Sequence, residues 1–203
     1  MDDLFGSSEG LGLLPLPDAE VLHLGHPPLP EANDVLMRRL IEEIDWRAER
    51  ITVWGKTHMQ PRLTAWFGDA GRDYRYSGIL MSASPWTPLL TSIKSAVEDA
   101  SEQHFNSVLL NYYRNERDSM GFHSDDESEL GPRPVIASLS LGATREFVFK
   151  HKFRKDLKPY KIPLDAGTLL VMKGETQRNW IHGIEKERQS HGPRVNLTFR
   201  TIR

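Results

Sequence analysis

From Ser107 onward the chain is dominated by short segments rich in β-branched and aromatic residues. This pattern restricts the possible folds of the chain more than any other feature of the sequence. Five such segments are SVLLNYY, PVIASLSLG, REFVFKH, GTLLVMKG and RVNLTFR. Glycine, proline and charged residues separate them, and no long helical pattern lies between them. Strands connected in this way form antiparallel sheets that pack on each other. We therefore expect a mainly β fold, either a sandwich or a jelly roll.

The first half of the chain predicts a tail and two helices. Residues 1–30 are rich in Gly, Leu, Pro and acids without a sustained period, which indicates a flexible tail and arm. Apolar residues at helical spacing predict a helix over 32–46. Ser84-Pro85-Trp86 predicts a second helix with Ser84 as its N-cap, burying Leu89, Leu90, Ile93 and Val97. We expect residues 31–203 to form one domain, in which both helices buttress a sheet built from 107–203.

Composition limits the chemistry more than it identifies it. The chain has no cysteine, so a bound metal ion must be held by imidazole, carboxylate and water. It has no apolar run long enough for a membrane span, and acids stand where a secretory signal carries bases. We therefore expect a soluble, intracellular protein, in the cytoplasm if it is bacterial and in the nucleus if it is eukaryotic. We also expect it to be a monomer. The net charge of −2 excludes a generally basic protein but not a local basic face.

His123-Ser124-Asp125 is an H-x-D pair whose imidazole and carboxylate project from the same side of an extended segment. His182 would complete a two-histidine, one-carboxylate triad, which is typical of catalytic iron because it leaves coordination positions open. An H-x-D pair alone also occurs in ordinary polar loops. The prediction of a metal site at His123, Asp125 and His182 therefore depends on the motifs that follow.

The last strand-like segment places charge where a core is expected. Arg194, Asn196 and Arg200 alternate with apolar residues, so they would face into the barrel. Buried arginines need anionic partners, and the two carboxylates of 2-oxoglutarate match two guanidiniums. Asn111 and Tyr113 share a strand face and could bind the same acid. The alternatives are an amphipathic edge strand and a tyrosine buried for packing.

These motifs together resemble the AlkB family of iron(II)- and 2-oxoglutarate-dependent nucleic-acid dioxygenases. The resemblance rests on N-x-Y at 111–113, H-x-D at 123–125, His182 and the closing PRVNLTFR at 193–200. It extends through GFHSDDESEL, SLSLGATREFVFKHK, FGDAGRDYRYSG and PWTPLL, and covers roughly 51–203. The upstream part is most like the branch that acts on duplex DNA. The implied fold is a double-stranded β-helix, the jelly roll, with a nucleotide-recognition lid within 31–106.

The resemblance implies the following roles in this chain. Iron(II) would be bound by His123, Asp125 and His182, and 2-oxoglutarate by Asn111, Tyr113, Arg194, Asn196 and Arg200, with O2 as the oxidant. The flipped base would be recognised by Tyr74, Tyr76 and Glu127. Trp54 would be the finger that fills the gap left by base flipping, although a smaller aromatic residue is expected there. DNA-backbone contacts would come from Lys56 and Arg62.

The implied reaction is oxidative removal of N-alkyl groups from bases such as 1-methyladenine and 3-methylcytosine, released as formaldehyde. The segment from Arg145 to Lys161 is strongly basic, and Lys150 and Lys152 would contact a DNA backbone unless this is merely a solvated hairpin. Duplex DNA is the favoured partner, with single-stranded DNA and RNA as alternatives.

Two other classes of function remain open from the sequence. One is an iron/2-oxoglutarate hydroxylase that acts on RNA, protein or a small metabolite, and the other is a non-catalytic nucleic-acid-binding module. The Leu-Phe pair within Met1–Phe5 also loosely resembles peptides that dock on sliding clamps.

Overall fold

Two antiparallel sheets form the centre of the protein. The computed structural model describes residues 12–53, 56–71, 74–76, 79–81 and 83–203, with the backbone alone described for 51–53, 56–57, 74–76 and 79–81. In spatial order, the major sheet contains β1 (Gly12–Leu13), β2 (Glu20–His23), β13 (Leu169–Lys173), β10 (Ile136–Gly142), β15 (Arg194–Arg200), β8 (Ser107–Tyr113) and β5 (Leu63–Gly68). The minor sheet contains β12 (Tyr160–Leu164), β11 (Arg145–His151), β14 (Trp180–Ile184) and β9 (Met120–His123).

The remaining elements lie around these sheets. Two small two-stranded sheets are formed by β3 (Arg50–Val53) with β4 (Lys56–Met59) and by β6 (Tyr74–Tyr76) with β7 (Ile79–Met81). The helices are α1 (Asn33–Glu43), α2 (Pro88–Ser101) and the one-turn α3 (Thr176–Asn179), and Ser128–Leu130 forms a 3₁₀ turn. Within the described ranges, no helix has both the length and the apolar character needed to cross a bilayer.

The major sheet is buried on both faces, which explains why its strands carry few exposed positions. One face packs on α1 and α2 through residues such as Leu40, Ile93 and Leu197. The other face packs on the minor sheet through residues such as Leu109 and Phe149. The expected mainly β jelly roll with helices that buttress one sheet is therefore confirmed, and the residues predicted to bind the metal ion and 2-oxoglutarate lie between the two sheets.

The structure differs from the sequence prediction between residues 12 and 30. These residues were expected to be part of a flexible arm, but β2 pairs antiparallel with β13 in the register Val21↔Met172, and Val21 is fully buried. The reason is that β13 needs a partner along its outer edge, since an uncovered edge leaves backbone groups unpaired. The folded unit thus begins before residue 31.

The start of α2 is also a correction. Ser84 was expected to cap it, but the helix begins at Pro88 and the Thr87 side-chain hydroxyl accepts a hydrogen bond from the Leu90 amide at 3.2 Å. Ser84 instead exchanges backbone hydrogen bonds with β5, donating to Trp66 O and accepting from the Gly68 amide. These two bonds hold Ser84 against the sheet, and the helix starts only after the chain has left it.

We expect Thr87→Ala to lower the free energy of unfolding by about 1 kcal/mol, because an N-cap hydroxyl satisfies an amide that the helix itself cannot pair. Ser84→Ala is the matched control and should change stability by less than about 0.5 kcal/mol. Urea denaturation of both variants measures the difference. An equal loss in the two variants would contradict the assignment of the cap to Thr87.

Candidate metal centre and cosubstrate pocket

Three metal-ligating side chains come together where β9 and β14 pair. His123 ends β9 and lies opposite His182 of β14 in the sheet register, and Asp125 follows two residues after the strand. Ligand atoms of His123, Asp125 and His182 all lie within 4.8 Å of one another. Gly183 allows the close approach, because a Cβ there would lie 2.8 Å from Met120 O. Strand pairing thus brings together the residues that the sequence predicted as a triad.

The protonation states of these side chains suit a divalent metal ion. Burial, reinforced by the neighbouring His182, lowers the pKa of His123 to about 4, so this imidazole is neutral at neutral pH, as a ligand must be. His123 Nδ1 donates a hydrogen bond to the carbonyl oxygen of Gly121 at 2.9 Å, which leaves Nε2 as the ligand atom. A set of two histidines and one carboxylate fits iron(II).

Asp125 is held as a carboxylate by its surroundings. Burial alone would raise the pKa of Asp125, but the Arg200 guanidinium and the His182 imidazole together hold it well below its usual range. Arg200 Nη2 donates to Asp125 Oδ1 at 2.5 Å, and both side chains are 1% exposed. The second oxygen, Oδ2, lies 3.6 Å from His182 Nε2. One oxygen is therefore fixed by Arg200 and the other points to the centre of the triad.

Arg194 provides a buried cation that is only partly paired. Its side chain lies on the inner face of β15, 1% exposed, and Nη2 donates to the Ser140 hydroxyl at 2.9 Å. Its Nε and Nη1 find no partner among the described residues. Burial lowers the pKa of Arg194, so an anion that paired with these two donors would relieve an unfavourable arrangement.

The other residues predicted for 2-oxoglutarate lie on the same face. Register pairs place Asn111 beside Asn196 and Tyr113 beside Arg194, whose guanidinium carbon lies 5.1 Å from the Tyr113 ring centroid. Asn196 Nδ2 already donates to Ser138 Oγ and Leu139 O. One pocket is lined by members of both sets, including Tyr113, His123, Asp125, His182, Arg194, Asn196 and Arg200. The predicted metal ligands and residues predicted for 2-oxoglutarate therefore line the same pocket.

Comparisons with known proteins identify this arrangement. The sequence pattern of the 2OG-Fe(II) oxygenase superfamily matches residues 22–200. The chain is similar to mouse alpha-ketoglutarate-dependent dioxygenase alkB homolog 3, with 46% identity over 189 residues that cover 89% of this chain and 65% of the mouse protein. It is similar to human DNA oxidative demethylase ALKBH2, with 40% identity over 178 residues, 83% of this chain and 68% of the human protein.

The chain belongs to the AlkB family of the 2OG-Fe(II) oxygenase superfamily. The structure of OsALKBH1 shares its fold, with a TM-score of 0.59 and 20% identity over 93% of this chain and 99% of that one. Iron(II), 2-oxoglutarate and oxygen, which the sequence predicted, are the metal and cosubstrates that the superfamily's name implies. The chain spans 65% of the length of the mouse relative.

Two arginines that the AlkB resemblance and the charge pattern placed at a DNA surface are buried instead. Arg62 is 4% exposed, and its Nε donates to Asn111 Oδ1 at 2.6 Å, so it orients a pocket side chain rather than a phosphate. Arg145 has a fully buried side chain that donates to Glu187 Oε1 and to the carbonyls of Asp118 and Glu185. Neither contributes to an exposed basic face.

Of the other residues predicted to bind nucleic acid, the structure describes the side chains of some and not of others. Glu127 is half-buried, two residues after Asp125. Lys150 Nζ lies 3.4 Å from the Phe122 ring centroid, and Lys152 pairs with Asp126 at 3.2 Å. Only the backbone of Lys56, Tyr74 and Tyr76 is described, and Trp54 and Met1–Phe5 lie outside the described residues.

Sequence reasoning missed Gln177 entirely. This α3 residue is 2% exposed, and its Oε1 accepts a hydrogen bond from the Asp125 amide at 2.9 Å. A single glutamine in a polar stretch belongs to no recognisable motif, and its partner, Asp125, lies 52 residues away in the sequence. Only the folded chain reveals the contact.

Proposed function

We propose that this protein is an iron(II)- and 2-oxoglutarate-dependent dioxygenase that removes methyl groups from ring nitrogens of DNA bases. The reaction converts the N-methyl group, O2 and 2-oxoglutarate to formaldehyde, succinate and CO2, and leaves N–H on the base. The observation that carries the proposal is the incompletely paired guanidinium of Arg194 in the same pocket as His123, Asp125 and His182. A relative at 40% identity is named a DNA oxidative demethylase, which supports DNA as the substrate.

The residues of the chain supply position and charge. Arg194 pairs with one carboxylate of 2-oxoglutarate, and Asn111, Tyr113 and Asn196 line the path along the inner face of β8 and β15. Arg200 keeps Asp125 ionised and oriented. The ring of Phe147 stacks on His182 at 5.2 Å between centroids, which restrains the imidazole and keeps water from that side. Bound iron(II) supplies the centre at which oxygen is activated.

The base must leave the helical stack to reach the metal centre, and this costs a few kcal/mol, least for a base that methylation has already prevented from pairing. 1-Methyladenine and 3-methylcytosine carry a positive charge, which favours the neighbourhood of Glu127 and Asp126. We assign Tyr74 and Tyr76 to stacking on the flipped base and Trp54 to filling the gap in the duplex. These roles rest on the AlkB resemblance.

The tip of the hairpin between β11 and β12 is the basic surface that suits a nucleic-acid backbone. Lys150 and Lys152 lie at its base, and Arg154, Lys155, Lys158 and Lys161 are exposed around it. Phosphate neutralisation by such a surface is independent of sequence and falls with salt. We expect duplex DNA to be the favoured form, with single-stranded DNA and RNA turned over more slowly.

The deciding experiment incubates the iron-loaded protein with 1-methyladenine and 3-methylcytosine in duplex DNA, single-stranded DNA and RNA, and follows the methyl mark by mass spectrometry together with succinate. We expect one methyl group lost per succinate formed, fastest in duplex DNA. His182→Ala should lose turnover and retain DNA binding. Succinate without demethylation of any nucleic acid would instead indicate a hydroxylase with another substrate, and unchanged activity in His182→Ala would refute the metal centre.

Demethylation of genomic DNA requires a protein that works inside the cell, and we propose an intracellular monomer. Docking of Met1–Phe5 on a sliding clamp is a separate proposal that rests on the acidic Leu-Phe motif. Deleting residues 1–11 and measuring affinity for a clamp tests it. Equal affinity of the full and shortened chains would dispose of the docking role.

A further inference from the structure

The segment that carries Asp125 leaves the minor sheet just before this residue. Ladder pairing of β9 with β14 reaches His123↔His182 and goes no further toward Asp125. Residues 124–127 belong to no helix or strand. The main chain at Asp125 therefore needs another anchor, and the amide of Asp125 donates to Gln177 Oε1 at 2.9 Å.

Gln177 connects the two halves of the metal centre. It lies in α3, the single turn that leads directly into β14, and β14 carries His182. Its hydrogen bond to Asp125 thus ties the loop that presents the carboxylate to the element that presents the histidine. A metal centre needs both ligands at a fixed separation, and outer partners of ligands commonly control that separation.

The contacts of Gln177 indicate that the important group of its side chain is the acceptor oxygen, Oε1, which binds the Asp125 amide. The side chain is 2% exposed, and among the described residues its Nε2 donates only to the weak acceptor Met172 Sδ at 3.6 Å. A buried amide with so poor a partner for its NH2 group is a costly choice for packing alone. Methionine would fill the same space without this cost, but it would offer no comparable acceptor to the Asp125 amide.

Lys152 makes a second link between Gln177 and the loop that carries Asp125. Its Nζ donates to the backbone oxygen of Gln177 at 2.8 Å and to Asp126 Oδ2 at 3.2 Å. The Ser124 hydroxyl donates to the same Asp126 oxygen at 2.8 Å. One ammonium group thus holds Gln177 and the residue after Asp125 together, parallel to the bond made by the Gln177 side chain.

Arg200 makes this anchor necessary. Its buried guanidinium attracts Asp125 Oδ1, whereas Oδ2 is the oxygen near His182. Fixing the main chain of Asp125 prevents this attraction from drawing the second oxygen away from the triad. Arg200 acts on the carboxylate and Gln177 on the backbone, so together they determine where Oδ2 lies.

We propose that Gln177 is a positioning residue for Asp125 and that Lys152 supports it, so that both control the affinity of the site for a divalent metal ion without contacting it. This inference deepens the proposed function, because it rests on the same triad as the metal site. It makes no use of the nucleic-acid substrate.

The test titrates Co(II) into metal-free protein and follows its d–d absorption, with neither nucleic acid nor 2-oxoglutarate present. Gln177→Met should lower the Co(II) affinity by about 10- to 100-fold, the usual effect of removing an outer partner of a ligand, and change the band shape. Its thermal midpoint should stay close to that of the wild type. Arg178→Met, in the same turn of helix but with a side chain 79% exposed, is the matched control and should bind Co(II) normally.

A second variant keeps the test decisive if Gln177→Met does not fold. Asparagine retains the amide but is shorter by one methylene, about 1.5 Å, and cannot reach the Asp125 amide. Folded Gln177→Asn with lowered Co(II) affinity supports the proposal, and wild-type affinity in either Gln177 variant overturns it. Lys152→Met should lower affinity by a smaller factor, and unchanged binding would remove Lys152 from the network. The Co(II) measurements do not depend on DNA demethylation. The role of Gln177 can therefore be refuted without refuting the proposed demethylase activity, and the reverse also holds.

Discussion

Asp125→Asn is expected to abolish demethylation, with a fall in turnover of at least about 10³-fold. Losing an outer partner of a ligand already costs 10- to 100-fold in metal affinity or activity, and Asp125 would itself be the only carboxylate among the three predicted ligands. Turnover measured at saturating iron(II) and 2-oxoglutarate checks this. Asp45→Asn, whose side chain is 82% exposed, is the control and should retain full activity.

The same substitution should also destabilise the metal-free protein, by about 3–5 kcal/mol, because it leaves the buried guanidinium of Arg200 without its anion. The folded pKa of Asp125 lies below its unfolded value of about 3.9, so the stability that this pair contributes is complete at neutral pH and is lost as the pH falls below about 4. Urea denaturation at pH 7 measures the loss.

Adding Arg200→Met to Asp125→Asn separates the two effects. Replacing both partners of a buried pair removes the stranded charge, so stability should recover by several kcal/mol. Activity should not recover, because the metal ligand is still missing. A double variant that is as unstable as Asp125→Asn would show that Asp125 contributes to stability through contacts other than Arg200.

Strands that are runs of β-branched and aromatic residues, or that alternate polar and apolar residues, were predictable from the sequence. β8, β11 and β15 have the bounds of the segments SVLLNYY, REFVFKH and RVNLTFR. In β15 each polar residue alternates with an apolar one, and one strand face packs on the helices while the other lines the pocket. By contrast, β14 is short, contains Gly183 and follows directly on α3, and it was not predicted. Its strand conformation depends on pairing with β9 and β11.

The partners of several arginines could not be predicted from the sequence. The AlkB resemblance assigned Arg62 to a DNA surface. Arg145 was interpreted in the same way because it lies in a basic stretch, where charged residues are usually in solvent. Their partners, Asn111 for Arg62 and the carbonyls of Asp118 and Glu185 for Arg145, come from segments that only the tertiary fold brings close. Arg200, which is predicted to bind a carboxylate of 2-oxoglutarate, already contacts the carboxylate of Asp125, a partner that the sequence did not predict.

We therefore expect the binding of 2-oxoglutarate to depend most on Arg194. We expect Arg194→Met to raise the KM for 2-oxoglutarate by about 100-fold or more, since truncating one partner of a buried, charge-paired contact costs 2–5 kcal/mol. Arg178→Met removes the same charge from a side chain that is 79% exposed and should leave this KM unchanged. The KM is measured from succinate formation at fixed DNA concentration.

The stability of Arg194→Met distinguishes a ligand-binding arginine from a structural one. In the metal-free protein Nε and Nη1 of Arg194 have no partner among the described residues, so methionine should leave the free energy of unfolding unchanged or raise it. With Zn(II) present, 2-oxoglutarate at 100 times its Kd should stabilise the wild type by about 2.7 kcal/mol, whereas the variant should gain almost nothing at that concentration. A large loss of stability without ligand, together with a normal KM, would instead make Arg194 a structural residue of the β15 strand and leave the dicarboxylate to be bound elsewhere in the pocket.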